Sequence, residues 1–115
     1  MVMRAVDRVI SSLKKQALTV DVEDYFHVSA FEKTIDKTDW NNLEWRVEAN
    51  TYRLLELFEK KQAKCTFFTL GWVAERCPNL IKAIVDQGHE LASHGFAHQR
   101  ATEMTPEQFL ADVSK

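Results

Sequence analysis

Three short β-rich runs alternate with helical stretches along this chain, and that alternation restricts its fold more than any other feature. Ala17-Leu18-Thr19-Val20-Asp21-Val22, Cys65-Thr66-Phe67-Phe68-Thr69-Leu70 and Glu90-Leu91-Ala92-Ser93 read as strands. Residues 47–62 put Val47, Leu54, Leu55 and Phe58 on one side and charges on the other, the pattern of an amphipathic helix. A second helix opens near Trp72 and stops before Pro78. A third covers Asn79 to Gln87, with Leu80, Ile81, Ile84 and Val85 on its apolar side and Gly88 as its C′ residue. Thr105 followed by Pro106 has the form of an N-cap with proline at the first helical position, so a fourth helix begins there and the sequence ends inside it. Strands that alternate with helices build parallel sheets from βα units, so the expected fold is α/β, parallel strands with flanking helices. Residues 25–46 show no clean period but carry Tyr25, Phe26, His27, Phe31, Trp40 and Trp45. That content predicts a long, ordered βα connection with one short helical turn.

A length of 115 residues suits one domain, and a net charge of -2 with no basic run longer than Lys14-Lys15 argues against nucleic acid as a partner. Two cysteines, Cys65 and Cys77, are too few for a disulfide-dependent scaffold and are expected as free thiols. Residues 1–16 read as a polar lead, either a short helix or disordered, without the apolar centre of a signal peptide. No stretch approaches the ~20 apolar residues of a membrane span. These features lead to the expectation of a cytoplasmic chain with no membrane span.

Two clusters carry the chemistry. Asp21-Val22-Glu23-Asp24 closes the first strand, and His94-Gly95-Phe96-Ala97-His98 follows the third. In parallel α/β architectures the C-terminal strand ends share one face, so both clusters are expected there. Two imidazoles and a carboxylate make a divalent-metal site with room for water and substrate. A second carboxylate can take a proton from water at the ion. Taken singly, an acidic strand tip is more often a solvated turn or a cap, and two histidines four apart are more often surface residues. Their expected convergence is what favours a site. His27, in the aromatic loop, and His89, beside the Gly88 cap, are read as ordinary residues, and Trp40, Trp45 and Trp72 as core before sugar-stacking groups.

The segments Leu18 to Asp24, Ala63 to Trp72 and Gly88 to His98 resemble the NodB-type polysaccharide deacetylases, carbohydrate esterase family 4. The wording is closest to the branch found with exopolysaccharide gene clusters. The resemblance covers residues 17–115 as a partial NodB-homology domain and implies the N-terminal part of a distorted (β/α) barrel. It also implies metal-dependent removal of acetyl groups from an acetylated polysaccharide or oligosaccharide, with zinc the expected ion. It gives His94 and His98, after Ser93, the two metal-binding positions, and Asp21 the position of the catalytic base. The family's second aspartate is replaced by Val22, so the acidic ligand is Glu23 or Asp24. Alternate residues of a strand share a face, which pairs Glu23 with Asp21; a turn at residue 22 would bring in Asp24 instead. The family's Arg-Pro motif and late histidine do not occur in these 115 residues, and three strands cannot close a barrel. The remaining barrel is therefore the expected partner, and little esterase turnover is expected of this chain alone. Two other readings stand beside this one: an allantoinase-like amidohydrolase on the same scaffold, and a non-catalytic remnant that binds carbohydrate.

Overall fold

A computed structural model describes residues 15–115. The lead read over residues 1–16 lies outside them except for its last two positions. Three parallel strands form one sheet in the order β1 (Thr19–Val22), β2 (Thr66–Thr69), β3 (Glu90–Ser93). The helices are α1 (Val47–Lys61), α2 (Gly71–Arg76), α3 (Pro78–Asp86) and α4 (Pro106–Val113). A parallel sheet with flanking helices is the α/β arrangement expected from the alternation of strands and helices along the sequence.

The core is the apolar set that the helical and strand periods select. Phe67, Leu70, Val73, Leu80 and Ile84 are fully buried, with Val22 and Leu55 nearly so. In α1 the buried positions are Val47, Thr51, Leu55 and Phe58; Thr51 takes the place expected of Leu54, its hydroxyl returned to the Val47 carbonyl at 2.6 Å. In α3 only Leu80 and Ile84 are buried, and Val85 is 51% exposed, so the apolar side is narrower than its sequence implies. Pro78 starts α3, because a missing N–H costs nothing in the first turn. Gly88 follows α3 with φ +80°, a conformation open to glycine. Thr105 and Gln108 cap α4 reciprocally, and the helix closes at Val113 before the sequence does.

The connection after β1 is more ordered than expected. It contains three 3₁₀ turns, Tyr25–His27, Ser29–Phe31 and Lys37–Asn42, where one was anticipated. Aromatic packing holds it: Trp40 and Trp72 meet edge to face at 5.6 Å, and Phe26 contacts both. Trp40 and Trp72 are core residues, and Trp45 packs on Trp72 and donates from its indole to the Trp40 carbonyl. Both cysteines are buried free thiols, their ionisation pushed upward by burial.

The register puts Val22, Thr69 and Ser93 level across the sheet. The next residues of β1 and β3 therefore emerge at the same end, on either side of β2. Parallel neighbours lie about 4.8 Å apart, so these two exits are separated by roughly 10 Å, a gap that two side chains can bridge.

Candidate metal centre

Burial alternates beyond the end of β1. Val22 and Asp24 turn inward, while Asp21 and Glu23 face the strand-end side. That alternation separates the two carboxylates left open by the sequence. The Asp24 carboxylate is 4% exposed and fully engaged: Oδ2 accepts from the Arg46 and Val47 backbone N–H groups at 2.7 and 2.9 Å, and Oδ1 accepts from Tyr25 N–H. It thus caps the start of α1, which has no cap of its own from Arg46, and places a negative charge at the helix's positive end. The chain does turn after β1, as one expectation had it, but the turn carries Asp24 into the core and away from the histidines.

Glu23 is the carboxylate that meets them. Its Oε2 lies 3.3 Å from His94 Nε2 and 3.2 Å from His98 Nε2. One ligand atom from each of Glu23, His94 and His98 falls within 4.8 Å of the others. Asp21 stands at the edge of this group, its Oδ2 4.0 Å from His94 Nε2, and is about half exposed.

The histidine loop is built to present both rings. His94 N–H continues the sheet by donating to the Thr69 carbonyl. Gly95 at φ +75° and His98 at φ +56° then fold the backbone back, so the two rings meet 5.1 Å apart. A non-glycine residue at positive φ is a strained choice, of the kind retained where position matters. The loop docks on the start of α2, where the Gly71 and Trp72 N–H groups donate to the Gly95 and Phe96 carbonyls, each at 2.9 Å. Gly71 must lack a side chain here, because a Cβ would lie 2.6 Å from the Phe96 ring. From the other side the Asp112 carboxylate of α4 accepts the Phe96 N–H at 3.0 Å. Neither Gly71 nor Asp112 stood out in the sequence: a glycine after a strand reads as a stop signal, and one acid on an amphipathic helix as a solvated charge.

The donor set fits a divalent ion. A tetrahedral ion with bonds of about 2.0–2.1 Å spaces its ligand atoms roughly 3.3 Å apart, which is the spacing of Glu23 from both imidazoles. Glu23 Oε2 and His94 Nε2 are also buried without a hydrogen-bond partner, a costly state in the absence of an ion. Nearby His27 is buried against Trp40 and Trp72, and its Nδ1 accepts the Asp24 N–H at 2.7 Å. Burial drives its pKa down to about 4 despite the opposing pull of Asp24, so the ring is neutral near pH 7.

Parallel strands that deliver a carboxylate and two imidazoles to their C-terminal end define the class of α/β hydrolytic scaffolds suited to a divalent ion. Within that class the chain belongs to the polysaccharide deacetylase family, whose model matches residues 14–115. It is 39% identical over 61 residues to a peptidoglycan deacetylase of Helicobacter pylori, a match covering 53% of this chain and 21% of that protein. It is 35% identical over 82 residues to the peptidoglycan-N-acetylmuramic acid deacetylase PdaA of Bacillus subtilis, covering 71% of this chain and 30% of that one. Among solved structures, the Bc1960 peptidoglycan N-acetylglucosamine deacetylase superposes with a TM-score of 0.60 at 25% identity, over 85% of this chain and 36% of that one. The chain thus spans about a fifth to a third of the length of the two curated relatives.

Proposed function

We propose that this chain contributes the metal-binding half of a deacetylase site that hydrolyses N-acetyl groups of a polysaccharide. Glu23, His94 and His98 hold the ion, zinc being the one their mixed N/O set suits. A bound divalent ion supplies Lewis acidity toward the acetyl carbonyl and acidifies water. The residues of the chain do the rest. Asp21, outside the triad but within 4.0 Å of His94, takes the proton from the attacking water. The fold of the 94–98 loop turns the Nε2 atoms of both imidazoles toward Glu23. Asp24 fixes the start of α1 and so the direction in which the chain leaves Glu23.

The observation that carries this reading is the single Glu23 oxygen standing at metal-ligand spacing from two imidazole nitrogens. The relatives' names point to peptidoglycan as their substrate. The resemblance of residues 18–24, 63–72 and 88–98 to the branch found with exopolysaccharide gene clusters favours an exopolysaccharide for this chain instead. The deciding experiment is a zinc titration by calorimetry. Binding at micromolar or tighter affinity, lost in His94→Ala, is expected; its absence in the wild type would overturn the proposal. A panel of N-acetylated oligosaccharides and allantoin then separates deacetylation from amide-ring opening. With the rest of the barrel supplied, acetate release that disappears in Asp21→Asn while zinc still binds assigns the base.

A further inference from the structure

Helix α4 meets the rest of the chain through an acid. Asp112 is the one residue of α4 that is not exposed, while Phe109, Leu110 and Val113 are 48%, 65% and 53% exposed. An amphipathic helix ordinarily turns its apolar side inward, so this one is docked by a polar contact and not by hydrophobic burial. Asp112 Oδ2 accepts the Phe96 N–H at 3.0 Å. Lys115, just beyond the helix, sets its ammonium 4.1 Å from the centre of the Phe96 ring, a cation–π contact on the same residue.

These contacts fall at the middle of the histidine loop. The Gly95 carbonyl and the Phe96 N–H belong to one peptide group and point in opposite directions. The Gly71 N–H holds the carbonyl from the α2 side, and Asp112 holds the N–H from the α4 side. That peptide is gripped at both poles, next to a Gly95 held at φ +75°. His94 is fixed by the sheet through the Thr69 carbonyl, whereas His98 makes no backbone hydrogen bond among the described residues. The place of His98 relative to His94 therefore depends on the peptides between them. We propose that Asp112 is a positioning residue for the metal centre: by holding the peptide that joins Gly95 to Phe96, it keeps the two imidazoles at the separation one ion needs. By linkage, the bound ion stabilises the docked α4 by the same factor. The ion rests on the function proposed above; the grip on the peptide does not.

The test is zinc affinity by chelator competition, with the absorption of the cobalt-loaded protein as the report on ligand geometry. Asp112→Ala is expected to weaken zinc about tenfold, the worth of one hydrogen bond to a charged group, and to alter the cobalt spectrum. Asp112→Asn keeps an acceptor oxygen and is expected to return zinc affinity to within about threefold of wild type. Zinc is expected to slow amide hydrogen exchange in α4 about tenfold more in the wild type than in Asp112→Ala. Asp112→Leu, similar in shape to Asp and without an acceptor, replaces the alanine variant if that chain does not fold. Zinc affinity and a cobalt spectrum in Asp112→Ala that match the wild type overturn the proposal. So does an asparagine variant as weak as the alanine one, which would assign the effect to charge and not to the hold on the peptide. A wild type that binds no zinc overturns the metal centre and this role together, whereas a zinc site indifferent to Asp112 removes only the role of α4.

Discussion

The two ends of the sheet use histidine in opposite ways. At the N-terminal end His89 is buried between Phe58 and Phe67, and its Nδ1 accepts the Cys65 N–H. Burial, reinforced by the Lys64 ammonium, lowers its pKa, and the ring serves as a packing residue that satisfies one backbone donor. At the C-terminal end His94 and His98 are partly exposed, aimed at one carboxylate oxygen, and short of partners. Residue type and nearness to a strand do not distinguish these settings. What distinguishes them is whether the protein itself completes the polar groups. At His89 the buried nitrogen is paired and the imidazole is structure; at His94 and His98 the unmet groups converge on one carboxylate at metal-ligand spacing.

The largest test of that contrast is zinc affinity. His94→Ala and Glu23→Gln are each expected to weaken zinc more than 100-fold, since loss of even an outer-shell partner costs 10–100-fold. His89→Gln, at the other end of the sheet, is expected to leave zinc affinity within threefold while lowering the thermal midpoint. Comparable zinc losses at both ends, measured by competition with a chromogenic chelator, would erase the distinction.

A smaller effect sharpens it within two adjacent residues. Asp24→Ala strips an acceptor from three backbone N–H groups in a buried position, and is expected to destabilise the fold by about 2–3 kcal/mol in urea unfolding. Glu23→Gln is expected to cost little stability in the metal-free protein, because its buried oxygen has no hydrogen bond to lose. Neighbouring carboxylates would then divide into one that holds the fold and one that holds the ion.

Much of this was legible in the sequence, for identifiable reasons. Strand and helix periods gave the parallel α/β order because apolar spacing reports directly on which face is buried. The His94–His98 pair and the acidic tip were visible because those residue types are few and their spacing is local. The choice between Glu23 and Asp24 was harder. It depends on Arg46 and Val47, more than twenty positions away, whose N–H groups take Asp24 for a cap. The part played by Gly71 was hidden for the same reason: its need for no Cβ arises from Phe96, which reaches it only in the fold. The three turns of the 25–46 connection escaped notice because 3₁₀ segments of three to six residues are too short to impose a period.

The smallest effect concerns pH, and it returns to the packing histidines. Burial lowers His27 from 6.5 to about 4, so between these values the unfolded chain binds a proton that the folded chain refuses. Stability therefore rises with pH across that window, is complete above about 6.5, and is lost as pH falls toward 4. The full shift would be worth about 3 kcal/mol, and solvent screening reduces that to roughly 2. His89 shifts in the same direction and adds to the slope. In metal-free protein, urea midpoints measured from pH 4 to pH 7 should show this slope, and His27→Gln should flatten most of it. Gln retains an oxygen that can accept the Asp24 N–H, so the variant separates the titration from the hydrogen bond. A slope unchanged in His27→Gln but removed in His94→Ala would place the acid-sensitive group at the metal cluster and not among the packing histidines. The division between the two kinds of histidine would then have to be redrawn.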